Sequence, residues 1–291
     1  MKLSCLIPHY NDADMLSKSI RALLGQNIDS MEILILDDGS TDQNWHQIKK
    51  LLQLSPLIKI KRNKENIGAV KTSINGLKLV QGEFIYMGSS NDFVLPGFFE
   101  AAISTLEQFP EIGFFCGSAW LDHQGIRSLS NLGWGKQERL FLPEDLVQFH
   151  RKIPCSFHGQ SVVLRRSYLF PPETLSSNLK GNFDLFIFFS LAMEKGFYYT
   201  PKALSLISIS PHSFSAQEQL LRQKIIKIES YLETMNNPIF TNIKKKMIKS
   251  GLLSFLGIGL ICCIIKKRKW EYISLKLIKD IFVLIIKKIT I

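Results

Sequence analysis

Residues 31–42 read Met31-Glu32-Ile33-Leu34-Ile35-Leu36-Asp37-Asp38-Gly39-Ser40-Thr41-Asp42. The first six residues, apolar except for Glu32, form a run of strand length. Asp37, Asp38, Gly39 and Ser40 are turn residues that stop it. Thr41 and Asp42 then offer N-caps for a helix running towards Leu52. A strand that ends in an acidic, glycine-containing turn and feeds a helix is the repeating half of an open α/β sheet.

Working outward, the same unit recurs on both sides. Leu3 to Ile7 is a short apolar run ended by Pro8, and Asp14 to Leu24 places Met15, Ile20, Leu23 and Leu24 at helical spacing. Ile58-Lys59-Ile60-Lys61 alternates as an exposed strand, Val70 to Leu79 has a helical pattern, and Phe84 to Met87 is a further strand. Pro96 opens a helix around Gly97 to Phe109, and Ile112 to Gly117 is a strand again. This alternation predicts an α/β fold: a mostly parallel sheet with helices on both faces. Ligands of such sheets bind outside the carboxyl ends of the strands. Three polar loops fall there: Pro8-His9-Tyr10-Asn11, Asp37-Asp38-Gly39-Ser40 and Ser89-Ser90-Asn91-Asp92. From Leu121 to Ser215 the pattern is irregular, and Gln217 to Met235 reads as a helix of alternating charge.

Of 291 residues, 46% are hydrophobic and 21% charged, which excludes a disordered or collagen-like chain. The formal net charge is +11, but it is unevenly placed. Residues 244–291 carry 12 Lys/Arg against 2 Asp/Glu, so the body is close to neutral. Only Arg268 among those 12 is an arginine, and they are interleaved with aliphatic bulk, which argues against nucleic acid as a partner. Five scattered cysteines without a CxxC pair argue against a disulfide framework or structural zinc, and favour a reducing compartment. No apolar run near Met1 escapes Pro8, Asp12 and Asp14, so no secretory signal is expected.

The three loops together resemble those of the family-2 glycosyltransferases with the Rossmann-like GT-A fold. Downstream features keep the family's order over residues 1–215: Asn66-Ile67-Gly68, Gly82-Glu83-Phe84-Ile85, Leu95-Pro96-Gly97, Gly159 to Arg166, and Asp184 before Glu194-Lys195-Gly196. The resemblance implies a nucleotide-binding half (1–120), an acceptor half (121–215) and a connecting helix (216–243). It implies that Asp38 accepts the imide N–H of a uracil-like base, with Asp37 in support. Pro8, Tyr10 and Asn11 would shape the base and ribose pocket, and Asn66 and Lys71 would lie near the nucleotide. Family members bind a divalent cation, Mg²⁺ or Mn²⁺, through an Asp-x-Asp loop that clamps the diphosphate. Here the two usual aspartates fall on Ser89 and Asn91, leaving Asp92 as the carboxylate. Asn91 and Asp92 could still hold the ion with Ser89 acting through water, and His212 could add charge near the diphosphate. Alternatively, the chain is a non-catalytic nucleotide-sugar-binding or scaffold subunit.

An inverting transfer needs one general base to deprotonate the acceptor hydroxyl. The family's usual Glu-Asp pair falls on Gly181 and Asn182, so the resemblance assigns the base to Asp184. An N-cap for the apolar helix from Leu185 is its bland alternative. Gly159 and Gln160 are expected at the acceptor site, with His158 nearby, and Trp134 between two glycines resembles a flexible flap. The implied partners are a UDP-sugar donor and a glycan or lipid-linked glycan acceptor for cell-surface polysaccharide.

The tail, 244–291, is expected to form basic amphipathic and hydrophobic helices. Gly251 to Ile265 holds 15 uncharged residues, about 22 Å as a helix. That is short of the roughly 30 Å hydrocarbon core. From Trp270 to Ile291 a lysine stripe (Lys269, Lys276, Lys279, Lys287) faces Ile and Leu, the composition of a helix lying in a membrane interface. The expected location is therefore peripheral, at the cytoplasmic face of a membrane.

Overall fold

The structure, a computed structural model, describes residues 1–26, 28–150, 155–209, 221–274 and 277–279. His212 and most of the Trp270–Ile291 stripe lie outside the described residues. In chain order the elements are β1 (Leu3–His9), α1 (Ala13–Leu24), β2 (Met31–Asp37), α2 (Asp42–Lys50), β3 (Ile58–Arg62), α3 (Ala69–Leu77) and β4 (Phe84–Met87). They continue with β5 (Phe93–Val94), α4 (Phe98–Gln108), β6 (Phe114–His123), β7 (Ile126–Leu129), β8 (Arg139–Phe141), α5 (Pro143–His150) and β9 (Val162–Arg165). The last are α6 (Phe183–Lys195), β10 (Phe197–Ser208), α7 (Leu221–Thr234), α8 (Thr241–Ser250) and α9 (Ile258–Lys267).

One sheet runs in the order β3-β2-β1-β4-β9-β6-β10-β5, with β7 and β8 pairing on β6 and β10. The strands β3, β2, β1 and β4 are mutually parallel. All seven residues of β2 are buried, as a strand covered on both faces requires. The helices α1, α2 and α4 cover one face, and α3, α5 and α6 the other. Helix α6 is apolar nearly all round, and nine of its residues are buried.

Register decides where the loops meet. His9 pairs with Asp37 across β1 and β2, and Leu6 pairs with Met87 across β1 and β4. Central β1 therefore holds the first loop between the other two, and all three polar loops open at one sheet edge.

Two expectations fail for local reasons. The longest strand, β10, sits in the stretch read as irregular. Pro201 and register shifts between Thr200 and Ser205 break its alternation. The apolar run from Gly251 is no single helix. Gly251 (φ 72°) and Gly257 (φ 67°) take left-handed conformations that stop one helix and separate a short 3-10 turn, Leu252–Leu256, from α9.

The described part of the tail packs against the rest of the chain. Helix α8 packs on α5 and α6, and α9 on α7. Met247, Leu252, Leu253, Leu260, Ile264 and Tyr272 are buried in the core that holds Phe186 and Phe189. Several tail lysines are engaged within the chain. Lys246 Nζ donates to the Met193 carbonyl (3.0 Å) and pairs with Glu144 (3.3 Å). Lys244 Nζ donates to Asn236 (2.7 Å) and lies 4.2 Å from the Tyr272 ring centroid. The described part of 244–291 thus packs as a layer on α5, α6 and α7. No helix among the described residues is long and apolar enough to cross a membrane.

Candidate active site

The first two loops are stapled together by Asn11, which adopts φ 52°, a conformation that Asn tolerates better than most residues. Its backbone N–H donates to Ser40 Oγ (2.9 Å), and its Oδ1 accepts from the Thr41 N–H (2.8 Å). Beside this staple Tyr10 stands about half exposed, free to offer a ring face, and Pro8 is half-buried.

The Asp37 side chain is fully buried. Its Oδ2 accepts from the Ser40 N–H (3.2 Å) and pairs with Arg62 Nε (3.2 Å), while Oδ1 has no partner among the described residues. Arg62 also donates to the Ser40 carbonyl (2.6 Å) and lies over the Trp45 ring (4.6 Å). The sequence reading missed this clamp: an arginine ending an exposed, alternating strand looks solvated until its neighbours are known.

Asp38, expected to contact the base, is held by the chain's own donors. Oδ1 accepts from Asn63 Nδ2 (2.8 Å), the Ile67 N–H (2.9 Å) and Thr72 Oγ1 (2.9 Å), and Oδ2 accepts from the Gly68 N–H (2.9 Å). Three of the four bonds fall on Oδ1, so Oδ2 keeps acceptor capacity. Asp38 therefore anchors the Asn63–Gly68 loop and α3 to the end of β2. Asn66, exposed, accepts from the Gly68 N–H (3.1 Å), and Lys71 is exposed on α3.

Gly39 is required for this arrangement. It takes φ 74°, and a Cβ there would lie 2.7 Å from the Glu65 carbonyl carbon and 2.9 Å from the Asn66 nitrogen. Gly39→Ala is expected to lose about 1–3 kcal/mol from backbone strain alone. Urea unfolding measures this loss, and a weaker donor affinity should accompany it as the Glu65–Asn66 backbone is displaced.

The third loop departs most from expectation. Asp92 is buried. Its Oδ2 accepts from Ser89 Oγ (2.6 Å), which also lies 3.0 Å from Asn91 Oδ1, and its Oδ1 accepts from the Ser208 N–H (3.0 Å). Burial pushes its carboxyl up, partly offset by the Ser89 and Ser208 hydrogen bonds. Oδ1 ties the loop to the end of β10, and Oδ2 closes the loop on its own Ser89. One committed carboxylate beside a neutral Ser and Asn is a poor donor set for a hard divalent cation. Among the described residues no group of three His, Cys, Asp or Glu could hold a metal ion. Of the residues expected at the Mg²⁺ or Mn²⁺, only Ser89, Asn91 and Asp92 are described, and they supply a single carboxylate; His212 lies outside the described residues.

Asp184 lies in the first turn of α6, one residue after its start, with Asn182 rather than Asp184 at the N-cap. Its Oδ1 accepts from the Leu185 N–H (2.8 Å). Its Oδ2 faces Gly159, where an added Cβ would lie only 2.8 Å away. Burial pushes the carboxyl above the ordinary carboxylate range, outweighing backbone hydrogen bonds that act in the opposite sense. Pro8, Ser73, Gly88, Gly159, Gln160 and Asp184 line one cavity of about 110 Å³. The strand-end loop, α3, the Gly159–Ser161 turn and α6 are thereby brought together. Ser73 and Gly88 carried no signal in the sequence; a small residue on a helix or after a strand becomes a lining residue only through packing.

His158 is half-buried next to this turn, and burial pushes its imidazole pKa down, favouring the neutral form. Trp134 is no flap. It is 2% exposed, its ring centroid lies 4.8 Å from Phe197 and 5.0 Å from Phe157, and Nε1 donates to the Ser156 carbonyl (2.6 Å). Flanking glycines alone do not make a loop mobile when the ring between them is core.

A family model described as Glycosyl transferase family 2 matches residues 4–169. The chain is 25% identical over 200 residues to the GalNAc(5)-diNAcBac-PP-undecaprenol beta-1,3-glucosyltransferase of Campylobacter jejuni, covering 68% of this chain and 62% of that one. It spans 33% of an uncharacterized glycosyltransferase of Haemophilus influenzae, to which it is 27% identical over 106 residues, 36% of this chain. Among solved structures, S. aureus TarS 1–349 in complex with UDP superposes with TM-score 0.63 at 17% identity, over 88% of this chain and 72% of that one. The mannosyltransferase PcManGT from Pyrobaculum calidifontis, in complex with GDP-Man and Mn²⁺, gives TM-score 0.56 at 13% identity, over 96% and 85%. At these identities the structural likeness shows the shared fold alone, the GT-A arrangement. The family model covers more than half of the chain and includes all three strand-end loops, and on that match the chain belongs to glycosyl transferase family 2.

Proposed function

We propose that the protein transfers a sugar from a UDP-linked donor to a glycan or lipid-linked glycan acceptor with inversion, in cell-surface polysaccharide synthesis at the cytoplasmic face of a membrane. The observation that carries the reading is Asp184. It is a carboxylate with a raised pKa in a cavity at the strand-end edge, one oxygen held by the Leu185 N–H and the other facing Gly159. A carboxylate moved up from its ordinary value is a better proton acceptor at neutral pH. Oδ2 removes the proton from the acceptor hydroxyl as that oxygen attacks the anomeric carbon, and the nucleoside diphosphate departs from the opposite face. Ligand pockets typically enclose ~300–1,000 Å³. A cavity of about 110 Å³ therefore takes the reacting end of the donor, and the nucleotide extends over the Pro8–Asn11 and Asp37–Ser40 loops. The UDP of the TarS complex and the undecaprenol-linked name of the Campylobacter relative support this donor and acceptor class.

A screen of nucleotide sugars by thermal stabilisation, with and without Mn²⁺, tests the reading. UDP-sugars are expected to raise the melting temperature. The shift should be the same in both conditions, because the Ser89–Asp92 loop offers no free carboxylate. Stabilisation by no nucleotide sugar would sink the donor assignment.

A further inference from the structure

Packing divides the basic segment into an inner and an outer side. On α9, Leu260, Cys263 and Ile264 face the core. Outside remain Ile265 (58% exposed), Trp270 (55%) and Ile273 (40%), and around them exposed Lys266, Lys267 and Arg268 with half-buried Lys269. Between Ile265 and Ile273 four cations stand against one acid, Glu271, which already lies 3.6 Å from Lys244; of the four, Lys267 also lies 3.9 Å from Glu229 on α7. Ile278 (55%) and exposed Lys279 repeat the combination a few residues on.

Exposed large apolar side chains within a cluster of cations match no ordinary solvated face. They match the boundary of an anionic bilayer: lysine and arginine meet lipid phosphates, while tryptophan and isoleucine enter the headgroup layer. We infer that Ile265–Ile273 forms a docking surface for an anionic lipid bilayer, on which the protein lies without spanning it. This differs from the lysine stripe expected of 270–291, because α8 and the inner side of α9 are spent on the acceptor half. The surface is tied to α7 and the turn after it through Tyr272, whose hydroxyl reaches the Leu232 carbonyl (3.0 Å) and Asn236 (2.8 Å). Docking there would hold the acceptor half at the depth of a lipid-linked glycan. The inference rests on the membrane placement proposed above.

Its test uses no donor or acceptor, so its failure leaves sugar transfer untouched. The full chain is co-sedimented with vesicles of phosphatidylcholine alone and with vesicles of equal parts phosphatidylcholine and phosphatidylglycerol. Binding to the second and not the first is expected. Replacing Lys266, Lys267, Arg268 and Lys269 by Ser should weaken it by roughly fivefold per charge. Trp270→Ser should weaken it as well. Both variants change surface side chains, and unchanged melting temperatures would confirm that they fold. Indifference of the full chain to anionic vesicles, or unaltered binding by the four-site variant, overturns the inference. So does a dimer in vesicle-free solution that Trp270→Ser dissolves, because a second copy would then be the occupant.

Discussion

Asp184→Asn is expected to abolish sugar transfer while leaving the protein at least as stable as the parent. General-base catalysis contributes about 10²–10⁴-fold, and an amide cannot take a proton from the acceptor hydroxyl. Transfer with a UDP-sugar should fall by that factor, with donor stabilisation retained. Stability separates this role from the bland one. If Asp184 only favoured the start of α6, through its Leu185 hydrogen bond and the helix dipole, its loss would cost about 0.5–1 kcal/mol and spare activity. The raised pKa argues the other way. A group whose folded pKa lies above its unfolded value stabilises fully below the unfolded pKa, and that contribution is lost as pH rises through the folded pKa. Above the folded pKa the ionised, half-buried Asp184 is therefore a cost. Asparagine resembles its protonated form and removes that cost. The melting temperature of the variant should equal or exceed the parent's at neutral pH, with the difference closing as the medium is acidified into the carboxylate range. In the parent, transfer should rise with pH through a carboxyl pKa displaced upward from the ordinary value. Parent and variant equally inert, with UDP still bound, would identify a binding subunit instead of a transferase.

Truncation after residue 243, where the composition turns basic, is expected to destroy the fold rather than to release a soluble catalytic body. The deletion removes Met247, Leu252, Leu253, Leu260, Ile264 and Tyr272, all buried in the core shared with α5, α6 and α7. Burying a side chain of this size contributes roughly 1.5–3 kcal/mol. Six such losses rival the whole ~5–15 kcal/mol by which a typical protein is stable. The apolar side chains of α5, α6 and α7 left uncovered would in addition promote aggregation. Near-ultraviolet circular dichroism and thermal melting decide it. The truncated chain should lack a cooperative transition, and a transition at the parent's temperature would restore the picture of an independent tail.

The parts legible in the sequence share one property: their signals are local. Strand length and stop at Met31–Asp37, the helix start at Thr41–Asp42, and the polar loop after each strand depend on neighbours a few residues away. Asp184 was assigned differently, by resemblance to the family, and the structure places it in the first turn of α6. What was not legible depends on distant residues. Asp38 and Asp92 were assigned by position in a motif, which does not record their hydrogen-bond partners: Asn63, Ile67, Gly68 and Thr72 for the one, Ser89 and Ser208 for the other. Residues 25 to 116 positions away in the chain supply most of these donors.

The sequence by itself determined the alternating α/β architecture, the three loops at one sheet edge and the family, because period, turn chemistry and chain order are properties of the string. Only the tertiary structure decided which polar atoms remain free, that Trp134 is core, and which side of the basic segment is buried. Each of those turns on what a distant part of the chain places against the residue, and hydrogen-bond satisfaction and burial are settled by packing, which no local pattern records.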